Sequence, residues 1–453
     1  MGQLFHSVLL IEEKCRGCTR CIKNCPTEAI RVRAGKARIN AERCTDCGEC
    51  IRICDNHAKT AITDSLSRLK EFEHTIALPA PALYSQFGRE VDRRRVLAAL
   101  MDMGFDDVFE VAYGADIATF LTTEYLKKQG AKAPMISAAC PAVVRLIQVR
   151  FPALIDYLIP VDSPMACSGK LAKEMKAAEL RIPKENIGAF FITPCPAKVT
   201  WVREANKLGS FPVDGAISIS DVYGEIVKRL PEISPSHPEL KASPVGVGWG
   251  RSGGERIAAG ISKSLVVDGI HNVIDVLEQL EMGKLQDIEF VEAQACTGGC
   301  VGGALTVINP FIGRMNLEAL VDKSETRPKL RDELTEDLNL EERLGEFTIK
   351  PDIVAVPAFR LDQDVSRAIT KAEMIEKVVS ELPGLDCGSC GSPNCRALAE
   401  DIVQGLAVDT DCILKLREEI EILAEQLLEM AKKSPPALKE DSKEDSAFSK
   451  PGE

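Results

Sequence analysis

An α/β core carried between two small cysteine-rich modules is the fold class this sequence predicts, and three observations predict it. Two four-cysteine runs of identical spacing fill the first 54 residues. From residue 71 to about 365, strand-like runs alternate with segments of helical periodicity, the pattern of an α/β domain. A third four-cysteine set then lies between residues 387 and 412, around a glycine-rich turn and a helix. We therefore divide the 453 residues into an α+β module at 1–70, an α/β domain at 71–365, a small helical module at 366–413, an amphipathic helix at 414–433 and a disordered tail at 434–453, the last because it is rich in Ser, Pro, Lys and Glu.

The N-terminal module is defined by Cys15, Cys18, Cys21, Cys25 and Pro26, a C-x2-C-x2-C-x3-C-P run whose cysteine spacing Cys44, Cys47, Cys50 and Cys54 repeat. It resembles the two-cluster bacterial ferredoxin, in which the fourth cysteine of each run ligates the other cluster. That resemblance assigns Cys15, Cys18, Cys21 and Cys54 to one [4Fe-4S] cluster and Cys44, Cys47, Cys50 and Cys25 to a second. Paired C-x2-C groups also suit zinc, but zinc does not need two consecutive four-cysteine runs. Disulfides are disfavoured because Met1 to Arg20 lack the apolar stretch of an export signal. No segment approaches the roughly 20 apolar residues that span a bilayer. We expect a cytoplasmic, reduced protein with no membrane partner. A formal charge of -12 argues against nucleic acid as well, since binding there rests on Lys and Arg.

In the α/β region the expected strands are Ile76–Ala82, Asp107–Val111, Met135–Ser137, Ala189–Thr193 and Ile353–Val356, with a helix over Arg93–Met103. A further strand, Ala37–Asn40, belongs to the N-terminal module. Several strands run directly into cysteine-bearing loops, the place where α/β folds put ligands. In the third module Cys387, Cys390, Cys395 and Cys412 are spaced C-x2-C-x4-C-x16-C, a further [4Fe-4S] site. Beyond it Leu416, Ile420, Leu423, Leu427 and Met430 recur at four-three spacing. Such a seam serves packing on its own domain, homodimerisation or docking of a signalling partner.

Four cysteines remain in the centre: Cys140 in Ser137-Ala138-Ala139-Cys140-Pro141, Cys195 in Thr193-Pro194-Cys195-Pro196-Ala197-Lys198, and Cys296 with Cys300 in a Gly-rich stretch. A dispersed set of this kind encloses a cluster inside a domain, and the glycines let backbone approach a bulky cofactor. These segments resemble the signature loops of [FeFe]-hydrogenases, T-S-C-C-P, M-P-C-x-x-K and E-x-M-x-C-x-x-G-C, and the likeness extends over about residues 1–365. The resemblance implies an α/β hydrogenase (H-cluster) domain. In it Cys140, Cys195, Cys296 and Cys300 hold a [4Fe-4S] cluster, making four such clusters in all. Cys300 bridges to a diiron subcluster with CO, cyanide and a dithiolate, and Lys198 hydrogen-bonds a cyanide. H2 and protons are then the substrates, and ferredoxin or another redox protein the electron partner.

The departures from the pattern are as informative. Ala139 replaces the cysteine that passes protons to the bridge amine, Thr193 and Gln294 replace two methionines, and Ala82 replaces the serine of an A-P-S segment, whereas Glu292 stands where the family has its Glu. These changes resemble the sensory branches of the family, which carry a C-terminal cluster module. The expectation is slow, reversible H2 conversion in H2 or redox sensing. Its rivals are an ordinary ferredoxin-dependent hydrogenase and a noncatalytic iron–sulfur electron-transfer or assembly protein. Glu255, after Gly253-Gly254, is a candidate substitute in the proton path, with a solvated helix-start Glu as the simpler reading. Cys167 is expected as a buried free thiol, the five histidines as structural or surface groups, and Gly246–Gly250 as no dinucleotide site.

Overall fold

Runs rich in Ile, Val and Phe become strands where both faces can be covered, and in the central region this yields two parallel sheets. The computed structural model describes residues 5–129, 134–209, 211–233, 238–323, 330–349 and 353–433. The expected tail at 434–453 and His237 lie outside the described residues. The chain forms two compact units, Met1–Arg360 and Leu361–Glu453.

In the first unit the strands are β1 (Val8–Leu10), β2 (Ile30–Arg33), β3 (Lys36–Ile39), β4 (Lys59–Ala61), β5 (His74–Pro79), β6 (Asp107–Val108), β7 (Met135–Ile136), β8 (Ile187–Thr193), β9 (Gly215–Ser218), β10 (Ser264–Asp268) and β11 (Phe290–Gln294). The N-terminal part is α+β: β1 pairs antiparallel with β4, β2 with β3, and four-residue helices Arg20–Lys23 and Glu49–Arg52 carry Cys21 and Cys50. Its small core is Ile22, Ile30 and Ala37 packed on Cys15, Cys21, Cys25 and Cys50. The larger parallel sheet has the order β6-β5-β8-β9, and the smaller β10-β11-β7. Every residue of β8 is buried, as a central parallel strand requires. Separate cores grow on the sheets, one around Ile76, Leu78, Phe190 and Phe191, the other around Ile136, Val143, Ile147, Val273 and Val291.

The N-terminal part is fastened onto this core. The Ser7 hydroxyl donates to the Pro196 carbonyl (2.7 Å), and Arg203 reaches Asp64 (3.1 Å). Gly48 adopts φ 79°, and a Cβ there would lie 2.5 Å from the Ala304 methyl, so only glycine permits this approach.

The expected strands differ from the observed ones at their ends. Val111 starts the helix Val111–Gln129, so the strand expected over 107–111 stops at Val108. The run Ile76–Ala82 leaves the sheet at Pro79, and Pro81 opens a short helix. Ile353–Val356 is no strand, because its hydrogen bonds go to Gln148, from the side-chain amide to the Val354 carbonyl and from the Val356 amide to the Gln148 carbonyl. In the second unit, helices Val365–Glu381 and Cys395–Val403 pack through Ile375, Leu382 and Leu398, with Cys390, Cys395 and Cys412 at the same core. The helix Ile413–Lys432 follows, and none of its residues is buried.

Candidate metal centre

The C-terminal ends of both parallel sheets deliver the central cysteines. β7 leads into Ser137 and Cys140, β8 into Cys195, and β11 into Cys296, followed by Cys300. Cys140 and Cys195 are the N-cap residues of the helices Pro141–Arg150 and Pro196–Leu208, each with extended backbone and a proline in the first turn. Proline fits there because its missing N–H has no partner to lose. The partial positive charge of two helix N-termini is thereby turned toward two sulfurs, which favours an anionic group between them. Gly299, at φ 90°, lets the third loop close: a Cβ on it would lie 2.5 Å from the Ser252 amide and the Gln294 Oε1.

Cys140, Cys195, Cys296 and Cys300 line one cavity, together with Lys198 and Glu255. Ala139 and Gln294 also line it, and Phe191 and Trp249 supply apolar wall. Thr193 and Ala82 stand behind the wall. Thr193 Oγ1 accepts from the Cys195 amide (3.1 Å) and orders that turn, while the Ala82 carbonyl accepts from Ser85 and Gln86.

Three features test whether an anionic iron–sulfur group fits. Lys198 is 8% exposed and lies over the Phe191 ring at 5.5 Å, and no ion pair or hydrogen bond is recorded for its ammonium among the described residues. A buried cation in that state needs an anion in the cavity. Gln294 Oε1 is buried without a partner among the described residues. Burial pushes the Cys300 thiol up to about 12 and Cys195 well above its ordinary value, with Lys198 opposing both. Such thiols become thiolates when a metal displaces the proton. The donor set therefore fits a multinuclear iron–sulfur group.

Two of the N-terminal sulfurs behave alike: burial raises Cys47 to about 12 and Cys21 to about 11. Cys47 reaches the central cavity, so the second N-terminal cysteine set adjoins the central one.

Glu255 is not a solvated helix-start residue. It is 4% exposed, and Ser137 Oγ donates to its Oε2 at 2.6 Å. Burial first, and then the charge of Glu292, raise its pKa to about 8. Glu292 is raised by burial too, but its carboxylate accepts from the amides of Gly253 (2.8 Å) and Arg256 (2.9 Å). The two environments push the acids apart, leaving Glu255 the proton holder. Ser137 was legible only as part of a cysteine segment. His6 likewise gave no signal, yet its Nδ1 lies 2.7 Å from the carboxylate of Asp46, two residues from Cys44.

The family model for the iron only hydrogenase large subunit, C-terminal domain, matches residues 73–259 and 251–304. The chain belongs to that hydrogenase family. A 4Fe-4S dicluster domain matches residues 7–55 and an Fe-S cluster family residues 382–414 of this hydrogenase-family chain. The chain is 28% identical over 385 residues to the periplasmic [Fe] hydrogenase large subunit of Nitratidesulfovibrio vulgaris, covering 71% of this chain and 90% of that protein. It is also 24% identical over 258 residues to a protein of Brugia malayi named a probable cytosolic Fe-S cluster assembly factor, covering 46% and 57%. Among solved structures, the [FeFe]-hydrogenase HydA1 of Chlamydomonas reinhardtii matches with a TM-score of 0.50 at 17% identity, over 63% of this chain and 95% of that one, a likeness of fold. No helix among the described residues is long and apolar enough to cross a membrane.

Proposed function

We propose that this protein converts H2 reversibly and slowly at an H-cluster and uses the result to report H2 or redox state. The observation that carries this reading is the cavity itself, where four cysteine sulfurs and a buried lysine with no anionic partner among the described residues meet the methyl of Ala139. Cys140, Cys195, Cys296 and Cys300 would hold the central [4Fe-4S] cluster, with Cys300 the residue that would also serve the diiron group. When bound, that group with its CO, cyanide and dithiolate ligands supplies heterolytic cleavage of H2. Lys198 supplies the cation that a cyanide ligand requires. Glu255 holds a proton at its Oε atoms, next to Ser137, in place of the thiol that Ala139 lacks. Thr193 keeps the Cys195 turn in place, and Gln294 offers its free Oε1.

Cys44, Cys47, Cys50 and Cys25 would hold a second cluster and Cys15, Cys18, Cys21 and Cys54 a third, and these would supply electron transfer between the central site and a partner. Cys18 is exposed and gives access to a ferredoxin-type redox partner in the cytoplasm. Cys387, Cys390, Cys395 and Cys412 hold a fourth cluster. We expect Cys387→Ser with Cys390→Ser to remove about one cluster's iron and sulfide while H2 chemistry persists. Loss of both together would mean that the second unit supports the central site. The seam Leu416, Ile420, Leu423, Leu427 and Met430 is 41–63% exposed, which supports a docking role for a signalling partner or a second copy over packing on its own domain.

A second reading, a noncatalytic iron–sulfur assembly protein, is favoured by the Brugia malayi relative's name and by the lost relay thiol. The test is infrared spectroscopy with an H2-oxidation assay on protein matured with a synthetic diiron precursor. CO and cyanide bands, slow H2 oxidation and four clusters' worth of iron before maturation are expected. Full cluster content with no such bands would leave the assembly reading standing, and rates typical of hydrogenases would leave the ordinary enzyme.

A further inference from the structure

One guanidinium stands between the N-terminal cysteine set and the central cavity. Arg52 ends the helix Glu49–Arg52, two residues after Cys50 and two before Cys54. Its Nη1 donates to the Gly302 carbonyl at 2.8 Å, across 250 residues of chain, two positions beyond Cys300. Its Nη2 pairs with the Glu49 carboxylate. The positive charge of the same guanidinium opposes the effect of burial on the Cys296 thiol. Its charge reaches Cys47 as well, as a weaker influence without a hydrogen bond. Gly302 fixes the acceptor, since a Cβ there would lie 2.0 Å from the Thr297 carbonyl oxygen. Arg52 thus touches the loop of one cysteine set from the helix of another.

We propose that Arg52 is a positioning residue that raises the reduction potential of the central cluster relative to the neighbouring cluster on Cys44, Cys47, Cys50 and Cys25. This rests on the ligand assignment above and not on the H2 chemistry. One-electron reduction adds one negative charge, spread over the cluster and its thiolates. A positive charge held against the loop that carries Cys296 and Cys300, through the Gly302 carbonyl, stabilises that reduced form. When the central cluster is reoxidised, the neighbouring cluster takes the electron, so oxidation of one balances reduction of the other. The guanidinium is anchored on the Cys296–Gly302 loop by its 2.8 Å hydrogen bond to Gly302, so the central cluster gains more. Glu49 counters the guanidinium and limits the effect.

The test is a redox titration followed by electron paramagnetic resonance on full-length protein carrying its iron–sulfur clusters but no diiron group. The central component is identified as the one missing from Cys195→Ser protein. In Arg52→Met it should be at least tenfold less reduced at a fixed potential, a downward shift of about 59 mV for a one-electron couple. In Glu49→Gln, where the guanidinium is freed of its counter-charge, it should shift upward, and Arg52→Lys should fall between wild type and Arg52→Met. Opposite signs for Arg52→Met and Glu49→Gln are beyond a merely structural role. An unmoved central component, or shifts of one sign in both variants, overturns the proposal. If Arg52→Met does not load the central cluster, Glu49→Gln and Arg52→Lys decide by the same signs. Absence of H2 turnover in wild-type protein matured separately with the synthetic diiron precursor would count against the functional reading and leave this result untouched.

Discussion

Glu255→Gln lowers H2 turnover of the matured protein by roughly 10²–10⁴-fold, the usual range for losing a positioned acid or base, while the CO and cyanide bands persist. The carboxyl lies on the cavity wall, and its Oε2 takes a 2.6 Å hydrogen bond from Ser137. Burial and the neighbouring Glu292 hold its pKa up at about 8, so it carries a proton at neutral pH. The direction of the pH effect follows. A carboxyl raised on folding contributes stability that is full below its unfolded value of roughly 4.3 and is lost as pH rises through about 8. Turnover that depends on the protonated form fades over the same alkaline range. Glutamine keeps a neutral polar group at every pH, so the variant should lose both alkaline transitions as well as the rate. A variant as fast as wild type with the same pH profile removes Glu255 from the proton route. Loss of the infrared bands would instead make Glu255 a support for cofactor binding.

Local spacing made part of this arrangement legible. The eight N-terminal cysteines announce their chemistry because each run lies within eleven residues, and helices of one turn suffice to aim them. The α/β class was readable for a similar reason: strands such as Ile187–Thr193 are apolar up to their closing threonine, as a strand covered on both faces tends to be. The central cavity was different. Its cysteines come from three strand ends and gained meaning from their neighbours in motif, since period and composition say nothing about which loops meet. Ile353–Val356 misled because β-branched composition reports a preference for extended backbone, whereas a strand also needs a partner, and Gln148 took that place. Burial of Glu255 and the reach of Arg52 to Gly302 are facts of tertiary packing. A Gly-Gly-Glu turn looks the same whether it faces water or a cavity.

Ala139→Cys should raise H2 evolution about 10²-fold, toward the lower end of what a restored proton carrier supplies, with the infrared bands unchanged. The sequence alone offers Glu124 as the nearest upstream carboxylate for such a thiol. In the structure Glu124 is tied to Lys127 at 2.7 Å, and Leu121, one turn before it, is fully buried, so that helix offers no continuation. The acid on the cavity wall is Glu255. The Ala139 amide already donates to the Ser137 hydroxyl at 3.3 Å, and that hydroxyl donates to Glu255. A thiol placed on this backbone therefore joins a chain that exists, and its benefit must run through the carboxyl at the far end. In Glu255→Gln protein the same substitution should gain little, leaving the double variant near the single one. An equal gain in both backgrounds would show that the thiol drains into a route that bypasses Glu255. No gain in either, with the cofactor present, would assign the slow rate to what replaced the two methionines: Thr193, whose hydroxyl is held by the Cys195 turn, and Gln294, which lines the cavity and whose Oε1 is buried without a protein partner among the described residues.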